Sequence, residues 1–435
     1  MQPTATIERS KVQVPWMMLI ALSTALFFTT HYSWTASSAE LFDPSADKLL
    51  ELTSSGDLVR EAILGALGAL ALWKIFTRRR IVHFRGALMK IVAAYVLWAV
   101  ASIAWSSDYL LCARRVSVLA IVLLIAWWLN AEYGTEVLAL FVFYSSAAYV
   151  AVGLVIECVL GTFHPLQAGY RFAGTLHPNH QAVYCALLAL AGTALVRTSP
   201  RWLYGSGAVL GAVMLLLTRS RTAAGAFIGA QLAYWLLVFA RKSTSLFLGT
   251  TLLAFALAAA GTWVFESGVM NTNDLLMGRD VETFTGRAEL WQDLVPYVYD
   301  KPVTGYGFGA FWTPQHIDSI SQTEGWGVAE SHSLYMDIAL ALGIVGLALY
   351  GAVLVLGLCR AGSLLHVHSG PGTRFLFLLF VFVVIHGWTE SAFLGTAPLQ
   401  MVLFWGVFSL ACAPERWPVV LPARRATTPK FSYVE

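Results

Sequence analysis

The sequence predicts an all-α polytopic membrane protein, and three observations support this fold class. Hydrophobic residues make up 57% of the 435-residue chain, and only 12% of its residues are charged. The mean hydropathy is +0.66. Apolar runs close to the ~20 residues that a transmembrane helix needs recur from end to end. Because so few polar residues cannot cover the surface of a water-soluble protein of this length, soluble fold classes are excluded.

Apolar runs of spanning length recur about twelve times. The first follows Arg9 and Lys11 and resembles a signal peptide, but it has no convincing small-residue cleavage signal, so we interpret it as a retained helix. The expected spans are residues 14–33, 58–76, 87–105, 110–129, 136–156, 181–196, 202–218, 222–239, 245–264, 332–357, 375–390 and 394–412.

The Lys and Arg residues orient these spans. Their clusters are Arg9 with Lys11, Arg78 to Arg80 with Arg85, Arg197 with Arg201, Arg241 with Lys242, Arg360 with Arg374, and Arg416, Arg424, Arg425 and Lys430. All of them fall on one side, which the positive-inside rule makes the cytoplasm, so both termini are expected there. The predicted organisation is a transmembrane bundle of about nine helices (1–264), an outer loop domain (265–331), further transmembrane helices (332–412) and a cytoplasmic tail (413–435).

The outer segment 265–331 is too long for a passive connection, because structureless loops of that length are rare and usually functional. Within it, apolar residues recur at helical spacing from Arg287 to near Pro302, which predicts an amphipathic helix lying across the mouth of the bundle. The glycine-rich stretch 305–312 follows, and its aromatic side chains, including Tyr306 and Trp312, suit a headgroup layer or a sugar ring. It lacks the strand-to-helix context of a nucleotide-binding loop.

Seven arginines lie at the outer ends of the spans, against the orientation bias. They are Arg114, Arg115, Arg171, Arg219, Arg221, Arg279 and Arg287. Arg219 and Arg221 flank Ser220 at a junction with no intervening loop, where an uncompensated charge inside the bundle costs roughly 2.5–3.5 kcal/mol or more. Such placement indicates an anionic ligand at the outer face. For Arg114, Arg115 and Arg287 the alternative is an arginine that reaches lipid headgroups.

Among the outer histidines, His332 is the candidate for acid–base chemistry. A neutral imidazole accepts a proton from an alcohol near neutral pH, which Arg and Lys do not do at their ordinary pKa. The alternative for His332 is a capping or interfacial role. Tyr335 follows it on the same predicted helix, and Glu390 is expected to pair with one of the outer arginines.

No metal site is predicted. His177 and His180 have a three-residue spacing, but Pro178 intervenes and no zinc-protease pattern accompanies them. Cys112, Cys158, Cys185, Cys359 and Cys412 have neither paired nor metal-ligand spacing and are interpreted as free thiols.

Several segments, in this order, resemble the O-antigen ligase and polysaccharide polymerase superfamily. They are Arg171 to Asn179, Thr218 to Thr222, Gly278 to Asp280 with Thr285 to Trp291, Pro302 with Gly305 to Trp312, and Ser331 to Tyr335 with Leu342 to Gly346. Each is short, and together they span roughly half of the chain. The resemblance implies a GT-C-type glycosyltransferase of the bacterial inner membrane, with residues 265–331 forming a long periplasmic loop.

The resemblance also implies a chemistry and assigns residues to it. A glycan linked to undecaprenyl diphosphate would move to a sugar hydroxyl at the periplasmic face, with inversion and without metal, nucleotide or other cofactor. The superfamily pattern maps the diphosphate-binding arginines onto Arg221 and Arg287 and the acceptor-activating histidine onto His332. Ser333 departs from this pattern, because the superfamily often has Asn after that histidine. Further substrate contacts are expected from Arg171, Arg219, Arg279, Arg114, Arg115, Glu390, Tyr306, Trp312 and Tyr335.

Within the superfamily, the segments from Gly278 to Trp312 look closer to exopolysaccharide polymerases than to lipopolysaccharide ligases. The two activities differ in acceptor, since a ligase uses lipid A core and a polymerase uses another lipid-linked repeat. A flippase or secondary transporter is the alternative from a different class. Transport predicts charged or helix-breaking residues near mid-membrane in two corresponding halves. No such pairing is present in the sequence, where the polar groups gather at one face.

Overall fold

In the computed structural model of the chain, the described residues are 15–30, 58–78, 86–167, 169–242 and 287–412. Helices, turns and loops make up these ranges, without any strand. The helices are α1 (Trp16–Phe27), α2 (Leu58–Arg78), α3 (Ala87–Ala101), α4 (Tyr109–Glu132), α5 (Thr135–Leu160), α6 (Pro178–Leu195), α7 (Arg201–Thr218), α8 (Arg221–Lys242), α9 (Arg287–Asp300), α10 (Pro314–Glu324), α11 (Leu334–Val367), α12 (Pro371–His386), α13 (Ala392–Gly395) and α14 (Ala397–Cys412).

Six of the described helices are long and apolar enough to cross a membrane. They are α3 with the 3₁₀ turn that follows it, α4, α5, α7, α8 and α11. The helices α1, α12 and α14 are shorter and apolar. A multi-pass membrane protein follows from these helices, whereas the expected span at 245–264 lies outside the described residues.

Helix α6 forms the centre of the bundle. It packs against α5, α7, α8 and α12, and nearly every one of its residues is buried, many of them alanines. Small side chains allow neighbouring helices to approach closely, which is how helices associate where no water is present to drive them together. The end of α6 that begins at Pro178 is therefore held rigidly, and it is the end that carries Asn179.

The described part of the outer segment has its own small core. Its buried residues come from α9, α10, the segment between them and the segment that follows α10, and they pack against α11 through Leu340. Helix α9 agrees with the helix that the sequence predicts from Arg287. Helix α10 was missed, although Thr313 caps its start by accepting a hydrogen bond from His316 N at 3.3 Å and Pro314 occupies its first turn.

Helix α11 has a kink at Gly343, where the backbone of residues 302–307 crosses it. Gly343 has φ +64° and ψ −166°, a conformation essentially confined to glycine. Tyr306 N donates to Leu340 O and Gly307 N donates to Ala341 O, both at 2.9 Å, and Ile344 N donates to Pro302 O at 2.8 Å. Residues 302–307 therefore form hydrogen bonds with backbone groups of α11 that the kink leaves without partners inside the helix. The segment Pro302 with Gly305 to Trp312 and the segment Leu342 to Gly346, both singled out in the sequence, meet at this point.

We expect Gly343→Ala to prevent accumulation of folded protein. A Cβ atom there would lie 2.2 Å from Val303 O, in a backbone conformation that L side chains rarely adopt. Gly351 lies in the same helix with no atom within 4 Å of its would-be Cβ, so Gly351→Ala should leave stability unchanged or raise it by up to ~1 kcal/mol. Yield and melting temperature of the detergent-purified variants check this. Normal yield of Gly343→Ala would contradict the described crossing.

Candidate active site

Glu390 is the centre of a polar network at one end of the bundle. It lies in the connection between α12 and α13, and it is 2% exposed. Its Oε1 atom accepts hydrogen bonds from Arg287 Nη2 at 2.5 Å and from Asn179 Nδ2 at 2.8 Å. Its Oε2 atom lies 3.7 Å from His332 Nδ1. One carboxylate thus joins the start of α6, the start of α9 and the residue that leads into α11.

Arg287 is the first residue of α9 and is 8% exposed. Its Nη1 atom donates to Thr389 O at 2.5 Å, beside the ion pair with Glu390. A cation at a helix N-terminus opposes the helix dipole, so the carboxylate of Glu390 offsets an unfavourable position. The expected pairing of Glu390 with an outer arginine is present, and Arg287 is the partner.

His332 precedes α11 with φ +51°, an uncommon value for a residue other than glycine. Its ring stacks on Trp326 with 5.6 Å between ring centroids, and its Nδ1 atom lies 3.3 Å from Glu330 Oε1. The side chain is 20% exposed. With Nδ1 facing two carboxylates, Nε2 is the ring nitrogen left to meet a substrate.

The two carboxylates control the charge of His332. Burial alone would lower the pKa of His332, but Glu330 and Glu390 outweigh it and raise the pKa to about 10. Burial would likewise raise the pKa of Glu390, yet His332 and Arg287 hold it well below its ordinary value. The two carboxylates therefore favour the imidazolium form of His332 in this state, whereas the sequence alone predicts a neutral ring.

Asp337 lies in the first turn of α11 and connects the start of that helix to neighbouring segments, a role that was not predicted from the sequence. Its Oδ1 atom accepts from Trp312 Nε1 at 3.0 Å and from Ser331 N at 3.1 Å, and its Oδ2 atom accepts from Ser391 Oγ. These contacts tie Ser331, the neighbour of His332, and Ser391, the neighbour of Glu390, to the first turn of α11. The signal was an acidic residue in the first turn of a helix, where it also favours the helix dipole.

Arg171 ties the segment before α6 to the junction of α7 and α8. Its Nε atom donates to Thr218 O at 2.9 Å, and its Nη2 atom donates to Asn179 Oδ1 at 2.8 Å. Arg219, half-buried with φ +53°, caps α7, and Arg221 is the exposed first residue of α8. Through Asn179, this junction is connected to Glu390 and hence to Arg287.

A second acidic residue absent from the sequence analysis anchors the segment that carries Arg171. Glu157, near the end of α5, accepts from Ala173 N at 2.8 Å and from Gly174 N at 2.7 Å. Its other oxygen accepts from Tyr170 Oη at 2.5 Å. A lone glutamate near the end of an apolar run was the available signal.

The remaining candidates lie in different surroundings. Tyr306 is 7% exposed and packs in the small aromatic core, where its hydroxyl donates to Asp300 Oδ2 at 2.9 Å. Tyr335 donates to Val384 O at 2.8 Å. Trp312 lines a cavity that Arg114 and Arg115 also line. Arg279 lies outside the described residues.

Glu330, His332 and Glu390 are a set that could hold a metal ion, since one ligand atom of each lies within 4.8 Å of the others. One oxygen of Glu390 is already bonded to Arg287 at 2.5 Å, and a divalent cation there would adjoin the guanidinium. This geometry favours an ion-pair network over a metal centre. His177, by contrast, caps α6 by accepting from Asn179 N at 3.2 Å, and burial lowers its pKa to about 3.

Comparison with known proteins gives two matches. The O-antigen ligase family model matches residues 206–351, which include Arg219, Arg221, Arg287 and His332. The exopolysaccharide production protein ExoQ of Rhizobium meliloti strain 1021 is 26% identical over 227 residues, which are 48% of this chain and 51% of ExoQ. The chain thus spans about half the length of this relative. The two matches confirm the resemblance that the motifs indicated, to the O-antigen ligase and polysaccharide polymerase superfamily.

Proposed function

We propose that the chain is a membrane glycosyltransferase that takes a glycan from undecaprenyl diphosphate at the periplasmic face of the bacterial inner membrane and transfers it to a sugar hydroxyl. The acceptor in this proposal is a second lipid-linked repeat, so the enzyme polymerises exopolysaccharide or O-antigen. One observation carries the proposal: Arg287 and His332 share the carboxylate of Glu390, which places an anion-binding fork beside a titratable ring nitrogen.

Arg287 and Arg221 bind the diphosphate of the donor in this mechanism. A guanidinium offers two parallel N–H groups that match phosphate oxygens. Arg287 exchanges part of its bonding to Glu390 for the diphosphate, and Arg221 reaches it from the exposed start of α8. Both charges offset the negative charge that grows on the leaving diphosphate. Such electrostatic stabilisation of the transition state is usually the largest single contribution to catalysis.

His332 assists the acceptor. The bond between the anomeric carbon and the diphosphate oxygen breaks, and its electron pair leaves with the lipid diphosphate. The acceptor oxygen forms the new bond to the anomeric carbon and gives its proton to Nε2 of His332. Glu330 and Glu390 hold Nδ1, as a carboxylate orients the histidine of a hydrolase triad. Because the pKa of His332 is raised to about 10, the ring must lose a proton before it serves as the base.

This requirement predicts a pH dependence. The transfer rate should rise with pH along an acidic limb, because deprotonated His332 becomes more abundant. Glu330 raises the pKa of His332, so Glu330→Gln should lower it and shift the acidic limb to lower pH. The exposed Glu289 on α9 provides the matched control, and Glu289→Gln should leave the profile unchanged. An acidic limb at the same pH in Glu330→Gln as in the wild type would contradict the assignment of His332 as the general base.

The acceptor decides between polymerase and ligase. The family-model description favours ligation, whereas the name of the relative refers to exopolysaccharide production. Purified protein should be incubated with a defined lipid-diphosphate oligosaccharide, in EDTA, with a second lipid-linked repeat or with lipid A core. A lengthened lipid-linked glycan supports polymerisation, and glycan on lipid A core supports ligation. No product with either acceptor would refute the transferase proposal.

A further inference from the structure

Asn179 bridges a cation and a carboxylate at the start of α6. Its Nδ2 atom donates to Glu390 Oε1 at 2.8 Å, and its Oδ1 atom accepts from Arg171 Nη2 at 2.8 Å. A guanidinium only donates hydrogen bonds and an ionised carboxylate only accepts them, so the two partners fix which end of the amide faces which. The carboxamide of Asn179 meets both requirements at once.

The amide of Asn179 is held from two directions. Its backbone N–H donates to His177 Nδ1 at 3.2 Å, within the cap of α6. Its partner Arg171 is anchored in turn, because the Nε atom of that residue donates to Thr218 O at 2.9 Å. Asn179 therefore offers a hydrogen-bond donor in a fixed position to Glu390, which lies in a connection between helices.

Arg287 and Asn179 bind the same oxygen of Glu390. In the proposed mechanism Arg287 gives part of its bonding to the diphosphate of the donor, so its hold on Glu390 weakens when the substrate binds. The bond from Asn179 involves no group that this mechanism assigns to the substrate, and it remains. The other oxygen of Glu390 lies 3.7 Å from His332 Nδ1, so a carboxylate that stays in place keeps this contact.

We propose that Asn179 is a positioning residue, which keeps Glu390 beside His332 while Arg287 binds the diphosphate of the donor. This inference rests on the proposed function. A hydrogen bond to a charged acceptor is roughly twice as strong as one between neutral groups, so a single amide is able to hold the carboxylate. Asn179 acts through Glu390 and does not touch the substrate.

The first test compares turnover with donor binding. Asn179→Leu removes both bonds of the amide and should lower kcat for transfer about ten- to hundredfold, as expected for a lost hydrogen bond to a charged group. KM for the donor should change little, because Arg287 and Arg221 remain. Steady-state kinetics of the full-length protein with a lipid-diphosphate oligosaccharide and a lipid-linked acceptor measure both constants.

Asn179→Asp tests the bond to Glu390 without removing the bond to Arg171. The near-isosteric carboxylate still accepts from Arg171 but has no N–H group for Glu390. An acidic residue in the first turn of α6 favours the helix dipole, so the protein should fold, and kcat should fall at least about tenfold. This variant decides the question if Asn179→Leu does not accumulate.

Asn130 provides the matched control. Its amide also bridges two groups, since Oδ1 accepts from Ser409 Oγ at 2.9 Å and Nδ2 donates to Cys412 Sγ at 3.5 Å. It lies near the end of α4, outside the network of Glu390. Asn130→Leu should leave kcat and KM for the donor unchanged.

The second test uses the two pH profiles of the reaction. The acidic limb of kcat/KM reports the free enzyme, and that of kcat reports the enzyme with bound substrate. In free Asn179→Leu, Arg287 still holds Glu390, so the limb of kcat/KM should stay in place. Once the donor binds, Glu390 should move away from His332. Because Glu330 and Glu390 raise the pKa of His332, the limb of kcat should move to lower pH.

Other charged and titratable groups act on Glu390 and His332 or on their neighbours, and Asn179→Leu retains all of them. Within the described part of the chain they are Arg171, Arg287, Glu330, His177, His180 and His386. A shift of the kcat limb alone is therefore attributable to the position of Glu390.

The outcomes separate the inference from the proposed function. A lower kcat, a nearly constant KM for the donor and a shifted kcat limb in Asn179→Leu support the inference. Wild-type kcat in either variant of Asn179, a defect confined to KM, or limbs that move together or not at all would overturn it and leave the proposed function standing. Failure of both variants to accumulate would make Asn179 a residue of the fold and also overturn it. Absence of transfer by the wild type would refute the proposed function and the inference with it.

Discussion

Replacing His332 with Ala should reduce glycan transfer by about 10²–10⁴-fold, the usual contribution of a general base. Donor binding should remain nearly intact, because Arg287 and Arg221 supply its anion contacts. The acidic limb of the pH–rate profile should disappear, since the group that titrates is gone. Transfer rates between pH 6 and pH 10, with donor affinity measured separately, check this result.

His316 provides the matched control for His332. It lies in the same outer segment, but its Nδ1 atom is 2.6 Å from Phe311 O and its ring stacks on Phe311, outside the network of Glu390. His316→Ala should therefore change transfer only mildly. Activity of His332→Ala close to that of the wild type would refute the role of His332 as the general base. A defect confined to donor binding would instead make His332 a phosphate contact.

Arg287→Lys should lose most activity while the protein still inserts and purifies. Lys keeps the charge that pairs with Glu390, but it lacks the planar fork that contacts two phosphate oxygens. The same change at Arg221, which is exposed, should have the same effect on transfer. Arg201→Lys serves as the control. Donor binding and turnover of purified variants measure the loss.

Two results would contradict this role of the arginines. Near wild-type turnover of both Arg287→Lys and Arg221→Lys would mean that bidentate recognition is not needed. Failure of Arg287→Lys to accumulate would mean that its bonds to Glu390 and Thr389 serve the fold alone. The double variant Arg287→Lys/Glu390→Gln separates these cases. If the pair is structural, the double variant should lose little more stability than either single variant.

Much of the helical pattern was predictable, because hydropathy and charge fix where an apolar helix begins and ends. Helix α6 begins at Pro178, three residues before the expected 181, because His177 caps it. Helix α12 ends at His386, a few residues before the expected end of the span at 390. Glu390 lies in the connection after α12, where its two oxygens reach Asn179 of α6, Arg287 of α9 and His332 before α11.

The kink in α11 could not be read from the sequence. Leu342 to Gly346 fits an ordinary apolar helix, and a single glycine there does not reveal that residues 302–307 cross it. The raised pKa of His332 was equally hidden, because Glu390 is 58 residues away in the chain and meets the ring only through the fold. Sequence patterns indicated the residue types of the site, whereas their charge states depend on contacts between distant segments.

The most direct measurement of the central claim is the stoichiometry of bond breaking. A donor with labelled glycan and labelled lipid diphosphate should be supplied in EDTA to the wild type and to the double variant Arg287→Lys/His332→Ala. We expect the wild type to release one lipid diphosphate for each glycosidic bond formed, and the double variant to form neither product above background. Release of lipid monophosphate, or transfer that persists in the double variant, would contradict the account.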